Sequence, residues 1–210
     1  MRRLLVIGLL VTCAGYAAWE VAMSRATTVR LGTSGYDLTY TMSWGLGMEE
    51  ELRLTRVGAF MSGPSSGSID IWKRPYNSGL ALYRSRDGGI YYFGLGYELF
   101  TFVPSRGVLR ASCRVRFKPS LTPFGLHLSK LTVAEDIEAQ DAEASELFNY
   151  VESGQPSVLP SSPPASKYYA DLVYLGKFGV VRSGGRGNDV EFAPADTTPE
   201  PRFGLAFNCY

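Results

Sequence analysis

The sequence has a single histidine, His127, among its 210 residues. Imidazole is the commonest metal ligand and the usual general base near neutral pH, so neither a His-rich metal site nor a His pair can be built here. The chain also has almost no net charge, since it contains 21 Lys and Arg residues and 20 Asp and Glu residues. A chain so close to neutral has no overall field that attracts nucleic acid. We therefore expect no metal, no cofactor and no nucleic-acid partner.

Long apolar runs are scarce as well, and the clearest one lies at the N-terminus. Arg2 and Arg3 precede a 15-residue run over residues 4–18. This run is short of the ~20 residues that a membrane-spanning helix needs, and a basic start followed by an apolar stretch is typical of a signal peptide.

The positions after this run favour cleavage. Ala22 and Ser24 stand at the −3 and −1 spacing that a signal peptidase prefers, so we assign residues 1–24 to a signal peptide. The alternative is an uncleaved anchor that crosses the membrane through residues 4–23. Both interpretations predict an exported protein, periplasmic or extracellular, which the second would leave tethered to the membrane. Residues 25–210 are then a single β-rich globular domain.

Cysteine is rare too, with three residues in the chain. Removal of the signal peptide takes away Cys13 and leaves Cys113 and Cys209. Both lie on the apolar face of an alternating segment, and two cysteines in an exported domain indicate one disulfide. We predict a Cys113–Cys209 bond.

The most regular pattern in the chain covers residues 108–118. Leu109, Ala111, Cys113, Val115 and Phe117 alternate with Arg110, Ser112, Arg114, Arg116 and Lys118. Because side chains of a strand point to opposite faces in turn, this pattern predicts a half-buried strand. Its outer face carries four basic residues, Arg110, Arg114, Arg116 and Lys118, which we call the basic ladder.

Other alternating segments predict a mostly β fold of the α+β class, with an antiparallel sheet or sandwich. Residues 36–44 and 49–57 form a hairpin, and residues 80–118 form a four-strand meander. Within the meander, Asp87-Gly88 favours a type I′ turn. Four C-terminal segments complete the predicted strands: residues 168–175, 178–182, 190–193 and 203–210.

One long amphipathic helix is predicted near residues 132–152. Thr132 and Glu135 fit a capping box, and apolar residues follow at helical spacing. A Pro/Ser-rich connector over residues 155–166 comes next, which we expect to be extended.

Charge is segregated around this helix. Residues 99–134 contain no acid, whereas residues 135–152 contain seven acids and no base. One interpretation is that the helix packs near the sheet and neutralises it. The other is that the basic ladder binds an anionic partner.

The catalytic motifs that we can find are weak, so we predict no catalytic residue. Ser65 lies in a G-x-S-x-G pattern, but a strand follows it where a nucleophile elbow requires a helix. Cys113 with His127 is a conceivable thiol pair, although a disulfide is the better account. Carboxylate pairs for glycan hydrolysis depend on a distance that sequence spacing does not reveal.

The sequence thus predicts an exported, non-catalytic binding or structural module of the cell envelope. Its expected partner is an anionic envelope component or another envelope protein. A hydrolase of an envelope glycan or peptide is the alternative from a different class. A small outer-membrane β-barrel is a third, since the length suits eight strands and the chain ends in an alternating aromatic segment.

Overall fold

The helix and strands of this chain are described by a computed structural model. It describes residues 2–44, 49–60, 63–67, 69–70, 80–94, 99–111, 150–167, 169, 171–182 and 188–201. A single α-helix in these residues, α1, spans Arg2–Ala22. The strands are β1 Ser24–Arg30, β2 Tyr36–Ser43, β3 Glu49–Arg56, β4 Ile69–Asp70, β5 Leu80–Ser85, β6 Tyr91–Gly94, β7 Leu99–Val103, β8 Val108–Ala111, β9 Tyr150–Val151, β10 Leu172–Arg182 and β11 Asn188–Pro194.

The strands form two sheets, which confirms the mostly β, antiparallel fold class. The four-stranded sheet has the order β1-β2-β3-β4, and the seven-stranded sheet has the order β11-β10-β5-β6-β7-β8, with β9 also beside β10. Every pairing is antiparallel except the short β9–β10 pair.

One core lies between the sheets, so they make a sandwich. Tyr40 of the four-stranded sheet packs against Phe178 of the other, with ring centroids 5.3 Å apart. The buried Tyr91 hydroxyl donates a hydrogen bond to the Leu31 carbonyl at 2.9 Å, which links the sheets at a second point. Both contacts come from inward-facing aromatic residues, and such residues dominate the energy of a core.

The predicted meander is confirmed from residue 80 to residue 111, and residues 112–118 lie outside the described residues. Its first turn differs from the prediction. The Gly88 amide donates to the Ser85 carbonyl, and only Gly88 of the Asp87-Gly88 pair has a positive φ, 76°. A type I′ turn needs positive φ at both positions, so that assignment is wrong. The Asp87 carboxylate instead accepts hydrogen bonds from the Ser85 hydroxyl and the Gly89 amide.

The predicted break between residues 175 and 178 is also wrong, because β10 is one strand of 11 residues. The pairing register with β5 shifts between Tyr174 and Gly176, which marks a bulge. Gly176 has φ 140°, and a Cβ there would stand 2.3 Å from the Ala193 carbonyl oxygen. The glycine therefore lets β11 approach closely where the strand bulges.

The end of the predicted helix is wrong as well, since Tyr150–Val151 is a strand. Val151 is buried with Val181 and Ala193 of the seven-stranded sheet. A single apolar residue such as Val151 is compatible with both helical and strand periodicity, so the predicted helix was drawn too far towards the C-terminus. Residues 132–149 lie outside the described residues.

Two loop segments lie along strand edges. In the extended connector over residues 155–166, the Pro164 carbonyl accepts a hydrogen bond from the Tyr174 amide at 2.9 Å. In the loop after β3, Pro64 and Ser66 form backbone hydrogen bonds with Leu54 and Leu52 of β3. These bonds cover an edge that would otherwise present unpaired backbone groups.

Candidate functional site

The basic ladder begins on β8. Arg110 is exposed and lies opposite Thr101 of β7, while the neighbouring Leu109 packs against the core. The alternation is therefore as predicted at these positions. Arg114, Arg116 and Lys118 lie outside the described residues, so their place on one face stays a prediction. Cys113, Cys209 and His127 lie outside them too, and the Cys113–Cys209 disulfide stays a prediction.

Ser65, the centre of the weak nucleophile motif, lies beside the edge of β3. Its hydroxyl donates to Glu51 Oε1 at 2.6 Å, and Arg53 donates to the same oxygen at 2.6 Å. Partial burial raises the pKa of Glu51, but the hydrogen bonds from Ser65 and Arg53 and the Arg53 charge outweigh it and leave that pKa below its usual value. A carboxylate held ionised by a guanidinium is a weak general base, so the contacts favour a structural role for Ser65.

A buried cluster around the Glu200 carboxylate ties the connector to the outer face of the seven-stranded sheet. The Glu200 carboxylate accepts hydrogen bonds from the Ser166 hydroxyl and from the Lys167 amide, the latter at 2.6 Å. Burial raises the pKa of Glu200 despite these donors. Burial, followed by the Glu200 charge, also raises the pKa of Tyr174 well above its usual value. All donors to Glu200 are part of the fold, so the cluster functions as a clamp.

Two further charged side chains are buried in the described part of the chain. Glu50 is 1% exposed and accepts a hydrogen bond from the Tyr40 hydroxyl at 2.9 Å in the core. Lys177, 2% exposed, lies between Ala81 and Ala193 on the outer face of the seven-stranded sheet. Burial lowers the pKa of Lys177 to about 8, because desolvation disfavours the ammonium form.

Polar side chains also meet at the junction between α1 and the four-stranded sheet, near an exposed surface. The Glu20 carboxylate on α1 accepts a hydrogen bond from the Ser43 hydroxyl at the end of β2, 3.1 Å away. The Ser24 hydroxyl donates to the Glu20 carbonyl at 2.7 Å. The sequence placed Glu20 just behind an apolar run and Ser43 in a hairpin strand, and nothing in their spacing predicts that they meet.

Comparisons of the chain with protein-family models, curated proteins and solved structures found no match. Within the part of the chain that the structure describes, no group of three His, Cys, Asp or Glu residues could hold a metal ion. The one helix there that is long and apolar enough to cross a membrane lies near the N-terminus, at Leu5–Ala22. Such a helix is compatible with a signal peptide or a membrane anchor.

Proposed function

We propose that the chain is an exported, non-catalytic module of the cell envelope. The observation that carries the proposal is the apolar helix α1, which is exposed along Leu5–Ala22 and leads directly into a β-sandwich. The charged start at Arg2 and Arg3 supports an orientation in which the sandwich is carried across the membrane. Cleaved or retained, α1 delivers the domain to the same side.

The basic ladder is the surface that we assign to the partner, an anionic envelope component or another envelope protein. Arg110 supports this assignment, because it is exposed on the face of β8 that points away from the core. If the alternation continues, Arg114, Arg116 and Lys118 lie ~6–7 Å from one another in turn along the strand, and Arg110 lies ~13 Å before Arg114. Such a row repels itself unless negative charge faces it. No cofactor is needed for this role.

The export part is tested by protease protection of the full chain in right-side-out and inverted membrane vesicles. The sandwich should be digested in right-side-out vesicles and protected in inverted ones. The opposite pattern would refute export.

The ladder part is tested by binding of the full chain to a soluble polyanion such as dextran sulfate at low salt. We expect Arg114→Ala with Arg116→Ala to weaken binding at least tenfold and to reduce its salt dependence. The reason is that a chain with fewer basic side chains displaces fewer counterions from the polyanion when it binds. The matched control is Arg86→Ala with Arg106→Ala, two exposed arginines in turns of the same meander. Equal affinity in both double variants would rule out the ladder as the binding surface.

A further inference from the structure

We propose that α1 is retained as a membrane anchor and that the adjoining end of the four-stranded sheet rests on the lipid headgroup layer. This proposal rests on export but not on the basic ladder. It names the bilayer itself as the partner of one end of the domain. We call that end, formed by Met23, Ser24, Ser43 and Trp44, the junction end.

The length of α1 fits a bilayer better than the apolar run alone does. Within the helix, Leu5–Ala22 is an apolar window of 18 residues, which at ~1.5 Å per residue is ~27 Å long and within the length range of a membrane span. Its apolar side chains are exposed all round the axis: Leu5 71%, Ile7 56%, Leu9 66%, Leu10 63% and Val11 66%. A helix that is apolar on every side is typical of a membrane span.

No linker separates this helix from the sheet. The Met23 amide donates to the Trp19 carbonyl at 2.9 Å, and the Met23 carbonyl accepts from the Trp44 amide at 3.0 Å. One residue therefore ends the helix and begins the strand pairing, which continues with Ser24 opposite Ser43. Ala22 is the last residue of α1, Met23 is a turn and Ser24 begins β1, so the helix runs directly into the sheet across the predicted cleavage position.

Side-chain bonds hold the helix at a fixed angle to the sheet. Glu20 Oε2 accepts from the Ser43 hydroxyl, and the Glu20 carbonyl accepts from the Ser24 hydroxyl. Arg25 donates to the carbonyls of Ala22 and Ser24 at 2.9 and 2.8 Å. The Glu20 bonds and the Arg25–Ala22 bond join the last helical turn to β1 and β2, and they favour one orientation of the sheet relative to the helix.

Aromatic residues mark this end of the helix as the water–lipid interface. Tyr16 and Trp19, three residues apart on α1, are 50% and 51% exposed. Trp44 bonds to Met23 at this end through its backbone amide, and its partly buried ring packs against the edge of the sandwich core. Tyr and Trp concentrate where headgroups meet hydrocarbon, because their rings are apolar and their N–H or O–H groups seek water. Arg25 is exposed just beyond them, where the proposal places it beside the lipid phosphates.

The first test is the intact mass of the unaltered full chain purified from bacterial membranes. We expect a species of 23.0 kDa that still contains residues 2–24 and stays in the membrane during carbonate extraction. A chain that begins at Arg25 would overturn the proposal.

The second test measures contact of the sheet with lipid in phosphatidylcholine vesicles brominated near the headgroup. One reporter chain keeps Trp44 alone, with Trp19→Phe and Trp72→Phe. Its matched control carries Trp19→Phe, Trp44→Phe, Trp72→Phe and Phe60→Trp. Phe60 is fully exposed beyond the other end of β3, and eight strand residues measure ~26 Å.

We expect bromine to quench Trp44 at least three times as strongly as the reporter at position 60. Equal quenching, or none at Trp44, would overturn the docking of the junction end. Reconstitution in vesicles does not depend on export or on a polyanion, so this result separates the proposal from the proposed function. The mass measurement needs no variant and stays decisive if a reporter chain misfolds.

Discussion

The two sheets of the sandwich differ in how far their outer faces are buried. In the four-stranded sheet, β2 and β3 alternate residue by residue between buried and partly exposed positions. In the seven-stranded sheet, all four residues of β6 and the first four of β5 are buried. The first sheet has one water-facing side, whereas the second is covered on both sides at β5, β6 and most of β10 and exposes Arg110 at β8. A substitution on an outer face is therefore a surface change in the first sheet and a core change in the covered strands of the second.

The largest expected difference in stability between the two sheets comes from replacing a glycine in each. We expect Gly176→Ala in the seven-stranded sheet to lower the free energy of unfolding by about 3–4 kcal/mol, because its Cβ would clash with Ala193 at an unfavourable φ. Gly58→Ala, beside the four-stranded sheet, has φ 78° but open space, so about 1 kcal/mol is expected. Urea unfolding of the detergent-solubilised chain measures both. Equal losses would break the contrast.

The outer faces should also respond in opposite directions when a basic residue is removed. The Lys177 pKa of about 8, against 10.5 for a free lysine, corresponds to about 3 kcal/mol. We expect Lys177→Met to raise stability at pH 7 by about 2 kcal/mol, since the methionine needs no proton or solvation. Arg53→Met, on the outer face of the four-stranded sheet, should lower stability by less than ~1 kcal/mol.

The pH dependence of the parent chain sharpens this test. Folded Lys177 loses its proton near pH 8, whereas the unfolded lysine keeps it to 10.5. The unfolded state binds more protons between these values, so the lysine's contribution to stability rises with pH across that window. The difference between Lys177→Met and the parent should shrink from pH 7 to pH 9.5. A constant difference would show that the lysine is not buried in its charged form.

The Glu200 clamp should have a smaller effect. We expect Glu200→Gln to cost about 1–2 kcal/mol near pH 4.5, because the amide nitrogen cannot accept one of the two hydrogen bonds. Glu191→Gln is the control, since Glu191 is only partly buried and accepts from the amides of Gly154 and Gln155.

Glu200 also has a defined pH signature. Its pKa is raised in the folded chain above 4.5, so its contribution to stability is complete below pH 4.5 and declines as pH rises through the folded value. The cost of Glu200→Gln should therefore fall as pH rises, as measured by unfolding at several pH values. A cost that grows with pH would contradict a raised pKa.

The smallest loss of stability is expected for a substitution on the water-facing side of the four-stranded sheet. Thr39→Ala removes a hydroxyl contact of 2.9 Å with Thr28 across β1 and β2, and we expect a loss of about 0.5 kcal/mol. A loss above ~2 kcal/mol would mean that this face is covered.

The difference between strands covered on one face and strands covered on both explains which elements could be predicted from the sequence. The hairpin of β2 and β3 was predicted because Leu38 and Tyr40 alternate with polar residues that face water. Strand β10 was divided in two because both its faces are covered, so its sequence does not alternate and Gly176 resembles a break. Strand β1 was missed, since its single buried residue is Val29. Of the candidate sites, the exposed position of Arg110 was foreseen. The Glu20–Ser43 bond was not, because it joins residues 23 positions apart.

The strand order has a consequence for how the chain is made. All pairings of the four-stranded sheet lie within residues 24–70. In the other sheet, β5 pairs with β10, which follows it by more than 85 residues in the sequence. The first sheet can therefore form while the second half of the chain is still being synthesised, and contacts close in sequence form fastest. Until Phe178 and Phe192 are synthesised, the apolar side of that first sheet lacks part of its cover. We expect the nascent chain to be vulnerable to aggregation in this interval, and membrane retention of α1, as we propose it, would keep neighbouring chains apart.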